Sequence, residues 1–249
     1  VVKGRRPPLE TDTTTPVAYG LETSQLWGLG LSAFLGKGFD SIPNGLHLTQ
    51  PYRPGRIPVV FVHGTFSNPA WWAEMINTLR GDHILRQKYQ FWVFLYNSSA
   101  PIVASAADLR DALRGKLTQL DPERKDSALQ EMVVVGHSQG GILTKLTAVD
   151  TGDSLVHALT GKDLKSLELP GEKKAEVHRL LVVEPVPEVS RVVFISTPHR
   201  GSILSKQWVR TLIRKIVTLP TRIFDTNLSL QDYYTEDVKR MIGSRLGPT

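Results

Sequence analysis

Ser138 stands in "VVVGHSQGGILTK" (Val133–Lys145), a Gly-X-Ser-X-Gly with three valines before it and a helix-like apolar run after it. Those residue types in that order can do nucleophilic chemistry. A serine on a tight strand-to-helix turn takes strained backbone angles, and its neighbours two positions away must be glycines to avoid collision. The turn lifts the hydroxyl clear of the sheet and aims the N-terminus of the following helix at it. Five residues with three fixed recur by chance as an ordinary glycine-rich turn, so the motif gains its meaning from the strand before it and the helix after it. Attack on an ester carbonyl passes through an oxyanion, which needs two preorganised donors. One candidate is the backbone N–H of Gln139, the residue after the nucleophile. The other comes from "HGTFSN" (His63–Asn68), where the N–H of Thr65 is best placed, Phe66 is the second choice, and Gly64 lets the chain approach closely. His63 reads as a residue that holds this loop by hydrogen bonds rather than as a catalytic base.

Such a serine needs a strand behind it, a helix ahead of it and a neighbouring loop within reach. "IPVVFVHG" (Ile57–Gly64) is a continuous apolar run stopped by glycine, as fully buried parallel strands are. "YQFWVFLYN" (Tyr89–Asn97), "EMVVVG" (Glu131–Gly136) and "SRVVFIST" (Ser190–Thr197) read as three more strands. Between them lie a helical pattern in "NPAWWAEMINTLR" and a long one in which Ile102, Ala106, Leu109, Leu113, Leu117 and Leu120 recur every three or four residues. "GGILTKLTAV" continues from the serine turn as a third helix, and residues 150–189 form a polar stretch without clear period. Alternating strands and helices predict an α/β fold, a parallel-rich sheet with helices on both faces. Right-handed crossovers then bring the loops after the strands to one edge.

Composition narrows the chemistry. The 249 residues are 41% hydrophobic and 22% charged, enough for one large globular core. With no cysteine, disulfides, thiolate catalysis and Cys-ligated zinc are excluded. The net charge of +6 suits a solvated basic surface or an anionic one such as a membrane. No arginine-rich block with interleaved aromatics appears, which argues against nucleic acid. "LWGLGLSAFLG" from Leu26 is too short and too glycine-rich to span a bilayer. The sequence begins at Val1 without a signal-like segment, which reads as a processed chain or a piece of a longer one. A bacterial cell envelope or secreted location is favoured over the cytoplasm, and oligomeric state is open.

Taken together, "VVFVHGTFSNPAWW", "VVGHSQGG" and "VFISTPHRGS" resemble the α/β-hydrolase superfamily, over roughly Pro58–Gly201. More closely they resemble bacterial serine lipases and esterases and the lipase-like proteins related to GPI inositol-deacylases. The resemblance implies an α/β-hydrolase fold, incomplete at the C-terminus, with Ser138 as nucleophile and Thr65 and Gln139 as oxyanion donors. It implies carboxylic ester hydrolysis of lipid or other hydrophobic acyl substrates, with no cofactor and no metal needed for the chemistry. The same elbow serves thioesterases, acyltransferases and amidases.

One departure matters. In the family an acid and then a histidine follow the serine, on loops after two further strands. Here no strand followed by aspartate appears after "VVFIST", and no histidine follows His199. His157, His178 and His199, and the late carboxylates Asp225, Asp232 and Asp237, are poor substitutes by position. The reading is that the triad acid and base lie outside these residues. A rival is a hydrolase scaffold that has lost its triad and only binds. "SKQWVRTLIRKIVTLPTRIF" (Ser205–Phe224) is an amphipathic helix ended by Pro220. It is either a helix packed on the core or a lid that touches a membrane or lipid surface. The domain reading is therefore a loop-rich N-terminal extension at 1–50, with helical packing only at 21–39, and a hydrolase core at 51–249 with a lid segment around 202–225.

Overall fold

The computed structural model describes residues 44–65, 67, 69–199 and 233–243. The helical packing expected at 21–39, the lid segment at 202–225, and Phe66, Asp225 and Asp232 lie outside them.

The described chain runs β1 (Gly45–Leu48), β2 (Ile57–Val62), a 3-10 turn (Pro69–Trp72), α1 (Ala73–Gly81), α2 (Leu85–Lys88), β3 (Tyr89–Leu95) and α3 (Ile102–Leu120). It continues through β4 (Met132–His137), α4 (Gln139–Lys145), α5 (Ser154–Thr160), α6 (Gly171–Leu181), β5 (Val189–Ile195) and α7 (Glu236–Gly243). All of the described strands form one sheet, in the order β1-β3-β2-β4-β5. β1 runs antiparallel to β3, and every other pair is parallel. The four strands expected from the apolar runs are β2 to β5. β1 is an addition, because "GLHL" is too short and too polar to announce itself. It lies inside the stretch read as an extension, so the sheet begins before residue 51.

β2 is central, and each of its six residues is buried. Val60 pairs across to Trp92 on one side and Val134 on the other, which is why this strand reads as an unbroken apolar run. One face of the sheet packs Val60, Val62, Trp92, Phe94 and Val134 against Ile102, Ala106, Leu109 and Leu113 of α3. The other face packs Val59, Phe61, Phe91 and Val135 against Trp72 and Ile76. Each large apolar side chain so buried contributes about 1.5–3 kcal/mol.

The polar stretch at 150–189 is in fact helical, as α5 and α6. In α6 only Val177, Leu180 and Leu181 are buried among eleven residues, too narrow a stripe to stand out from "GEKKAEVHRLL". These helices form a second core with Val103 and Ala107 of α3, which Tyr234 and Val238 close from the C-terminal side. Arg110 stitches the layers, donating from its buried guanidinium to the Arg179 carbonyl at 2.7 Å. No helix among the described residues is long and apolar enough to cross a membrane.

Candidate active site

The strand order reverses at the centre of the sheet. From β2 the chain moves to β3 on one side, then returns past β2 to β4 on the other. The loops leaving β2 and β4 therefore part in opposite directions at their carboxyl ends, where open α/β sheets place ligands. Those two loops carry Gly64-Thr65 and Ser138.

Ser138 joins β4 to α4 with φ 52° and ψ −121°, a conformation that residues with a side chain seldom hold. Its N–H donates to the Ile195 carbonyl at 2.9 Å, and its own carbonyl accepts from the Gly141 N–H at 3.1 Å. The turn is thus tied to β5 on one side and to its own helix on the other. The residue is half-buried, neither in the core nor in a regular helix. Both motif glycines are explained by contact. A side chain at Gly136 would meet the Gly140 carbonyl oxygen and the Gly141 Cα at 2.5 Å, and one at Gly140 would collide with the carbonyl oxygens of Val62 and His63.

The neighbouring loop comes equally close: a Cβ on Gly64 would lie 2.9 Å from the Ser138 Cβ. The Thr65 hydroxyl donates to Gln139 Oε1 at 2.6 Å, so the two residues expected to hold an oxyanion touch through their side chains. Among the described residues, no backbone–backbone bond outside the helices and strands uses the N–H of Thr65 or of Gln139. Gln139 is also the first residue of α4, where the N–H has no intrahelical acceptor. The segment after β5 seals the back of the elbow, with Thr197 packed so tightly on Gly141 that a side chain there would overlap its hydroxyl.

His63 lies under this loop, only 1% exposed. Its ring stacks on Tyr96 at 4.4 Å, Nδ1 lies 3.0 Å from the Gly64 carbonyl oxygen, and Nε2 accepts the Tyr96 N–H at 3.5 Å. Both ring nitrogens are thus engaged when Nδ1 carries the proton. Burial pushes the imidazole down from 6.5 to about 4, against a smaller opposing effect of the backbone hydrogen bonds to Gly64 and Tyr96. The group is neutral at pH 7 and braces the loop.

That depression has a measurable consequence. Below pH 6.5 the unfolded chain takes up a proton at this position that the folded one refuses until about pH 4. Stability is therefore fully present above pH 6.5 and falls by about 3 kcal/mol as the pH drops through that window. Urea unfolding from pH 7 to 4 should show that slope, and His63→Asn should flatten it. An unchanged slope in the variant would place the proton uptake elsewhere.

The sequence has seven histidines, and all are among the described residues. None of them hydrogen-bonds to the Ser138 hydroxyl. His137 precedes the serine with its ring edge-on to Trp72 at 6.5 Å. His199 is exposed and meets Phe194 edge-on at 4.6 Å. His157 and His178 sit on the outer faces of α5 and α6. The side chain of Asp237 is 93% exposed on α7 and faces Arg240. The residue that sequence reading missed is Tyr96, whose hydroxyl donates to the His63 carbonyl at 2.8 Å. It sits at the end of an aromatic strand, where nothing in the pattern separates it from core.

An open, mainly parallel sheet with a strained serine between a strand and a helix at its reversal point defines an α/β-hydrolase fold. No protein-family model matches the chain, and no curated protein matches it. Among solved structures it is similar to the mature lipase BlEst2 of Bacillus licheniformis (17% identity, TM-score 0.38, 81% of this chain and 65% of that one). It is similar to the thermophilic esterase Est2 of the planctomycete Thermogutta terrifontis (16% identity, TM-score 0.40, 76% of this chain and 59% of that one). Esterase B from Lactobacillus rhamnosis, with a tributyrin phosphonate, gives 16% identity and a TM-score of 0.42 over 90% of this chain and 71% of that one. The chain thus spans 65% and 59% of the length of the first two.

Proposed function

We propose that the protein is a serine hydrolase that cleaves carboxylic esters of hydrophobic acyl groups through an acyl-enzyme on Ser138. The observation that carries this reading is the backbone of Ser138 at φ 52° and ψ −121°, half-buried at the sheet's reversal point. Strain of this kind costs about 1–3 kcal/mol, and it clusters at functional sites, where the surrounding structure holds it in place.

In the first step Ser138 Oγ bonds to the acyl carbon while its proton passes to a base. The carbonyl electrons move onto oxygen, facing the N–H groups of Thr65 and Gln139. They return as the C–O ester bond breaks, and the departing alcohol takes the proton. Water repeats the sequence on the acyl-enzyme and releases the carboxylic acid. The base is a histidine, oriented by a carboxylate, and both are supplied by protein outside these residues. The hydrophobic acyl preference and the contact with a lipid surface rest on the sequence resemblance and on the amphipathic segment after β5. The rival reading keeps the elbow but has no base at all, a scaffold that binds without turning over.

The test uses the full-length protein with a fluorophosphonate probe and p-nitrophenyl butyrate. A single adduct, mapped by mass to the peptide carrying Ser138, together with turnover, is the expected result. Neither His137→Ala nor His199→Ala should lower kcat more than about tenfold, against the ~10⁴ or greater loss typical of a true triad member. A loss of that size in either variant would mean the base is local. Slow labelling without turnover would favour the binder.

A further inference from the structure

We propose that the side chain of Gln139 is a positioning residue for ester cleavage, a clamp that holds the loop after β2 so that the Thr65 amide faces Ser138. The inference rests on the hydrolase reading above and concerns the amide side chain, not the backbone N–H of the same residue.

Gln139 is 1% exposed, an unusual place for a polar side chain that makes no part of the core. Its position explains the direction it takes. As the first residue of α4 it projects back past the helix start, toward the loops that leave the sheet. There it spans two of them. Oε1 accepts from the Thr65 hydroxyl at 2.6 Å, and Nε2 donates to the Ser98 carbonyl at 3.2 Å. The orientation of the amide is fixed by chemistry, since the Ser98 carbonyl can only accept. The NH2 must face it, and Oε1 is left for the hydroxyl.

The loops so joined follow β2 and β3, while Gln139 itself belongs to the elbow after β4. Its side chain therefore crosses the reversal point and ties together the three strand ends that surround Ser138. Beneath it Tyr96 and His63 hold the same loop from below, through the Tyr96 hydroxyl on the His63 carbonyl at 2.8 Å. The loop after β2 is pinned from two sides. An apolar residue of the same size would satisfy the packing, but only an amide can bond a hydroxyl at one end and a carbonyl at the other. The Thr65 N–H is useful to an oxyanion only if it is held before the charge develops, because ordering it during the reaction would raise the barrier.

The substitution Gln139→Met keeps the length, volume and backbone N–H of the residue and removes both bonds. In the full-length protein with p-nitrophenyl butyrate, kcat should fall about 10–100-fold, less than the 10²–10³ for outright removal of an oxyanion donor. KM should stay within about threefold, since the bound ester places no charge on that amide. Thr65→Val cuts the same bond from its half-buried end and should cause a similar loss, while Thr65→Ser should retain at least about ten times the kcat of Thr65→Val. The double variant should fall less than about threefold below the worse single one, because both remove the same link. Thr65→Val tests the clamp even where Gln139→Met fails to fold. Losses that multiply, or a kcat within threefold of wild type in Gln139→Met or Thr65→Val, would overturn the clamp and leave the hydrolase reading standing. A wild-type protein without serine-dependent turnover would overturn both.

Discussion

In the full-length protein, Ser138→Ala loses ester turnover by a factor on the order of 10⁴–10⁶ and no longer labels with fluorophosphonate. The loss is that large because the hydroxyl is the atom to which the acyl group bonds, and no described side chain stands ready to replace it. A second substitution at the same position separates chemistry from strain. Ser138→Gly is equally inactive, yet it should be more stable than Ser138→Ala by about 1 kcal/mol. At φ 52° and ψ −121° any side chain is strained, and glycine is not. Part of the gain is offset by the greater freedom of glycine in the unfolded chain. Urea unfolding of the two inactive variants measures the difference. If they unfold at the same midpoint, the turn stores no strain, and the observation behind the proposed function loses its force.

The elements that position this serine were legible because burial is written in composition. β2 is central and wholly buried, so "IPVVFV" carries no polar interruption. α3 packs one stripe on the sheet, and Ile102, Ala106, Leu109 and Leu113 keep its period. β1 was not legible, since four residues at an edge need only half-bury their side chains. α6 was hidden by its lysines and glutamates, which face water while Val177, Leu180 and Leu181 do the packing. In the site, the glycines and the serine follow from sterics that act over a few residues, and a short motif records them. The clamp does not. Thr65, Ser98 and Gln139 are distant in sequence and meet only because the sheet order reverses between β3 and β4. The same holds for Tyr96 under His63, a contact between the ends of two adjacent strands. Pairing of that kind is set by topology, and no local pattern carries it.

The closeness of the elbow to β2 leads to the second large effect, in which one substitution has opposite signs at two helical positions. Gly115 lies exposed in α3 with nothing within 4 Å of an added Cβ. There Gly115→Ala should stabilise the protein by about 1 kcal/mol, the difference in helix propensity. Gly140 is also helical, in α4, and propensity alone would favour alanine by the same amount. But its Cα faces the carbonyl oxygens of Val62 and His63, and the added methyl would overlap both. Neither carbonyl can rotate away, because Val62 is held in β2 between β3 and β4, and the His63 carbonyl accepts the Tyr96 hydroxyl. The helix must therefore move. Overpacking against backbone should cost about 3 kcal/mol or more, outweighing propensity. The displacement also separates Ser138 from Gly64 and Thr65, and a shift of about 1 Å at a reacting centre can cost on the order of 10² in rate. Gly140→Ala is thus expected to unfold at lower urea than wild type and, in the fraction that remains folded, to label with fluorophosphonate at least about a hundredfold more slowly. A Gly140→Ala protein as stable as Gly115→Ala would mean that α4 does not rest on β2 as described, and the contact that brings the serine to its oxyanion loop would have to be found elsewhere.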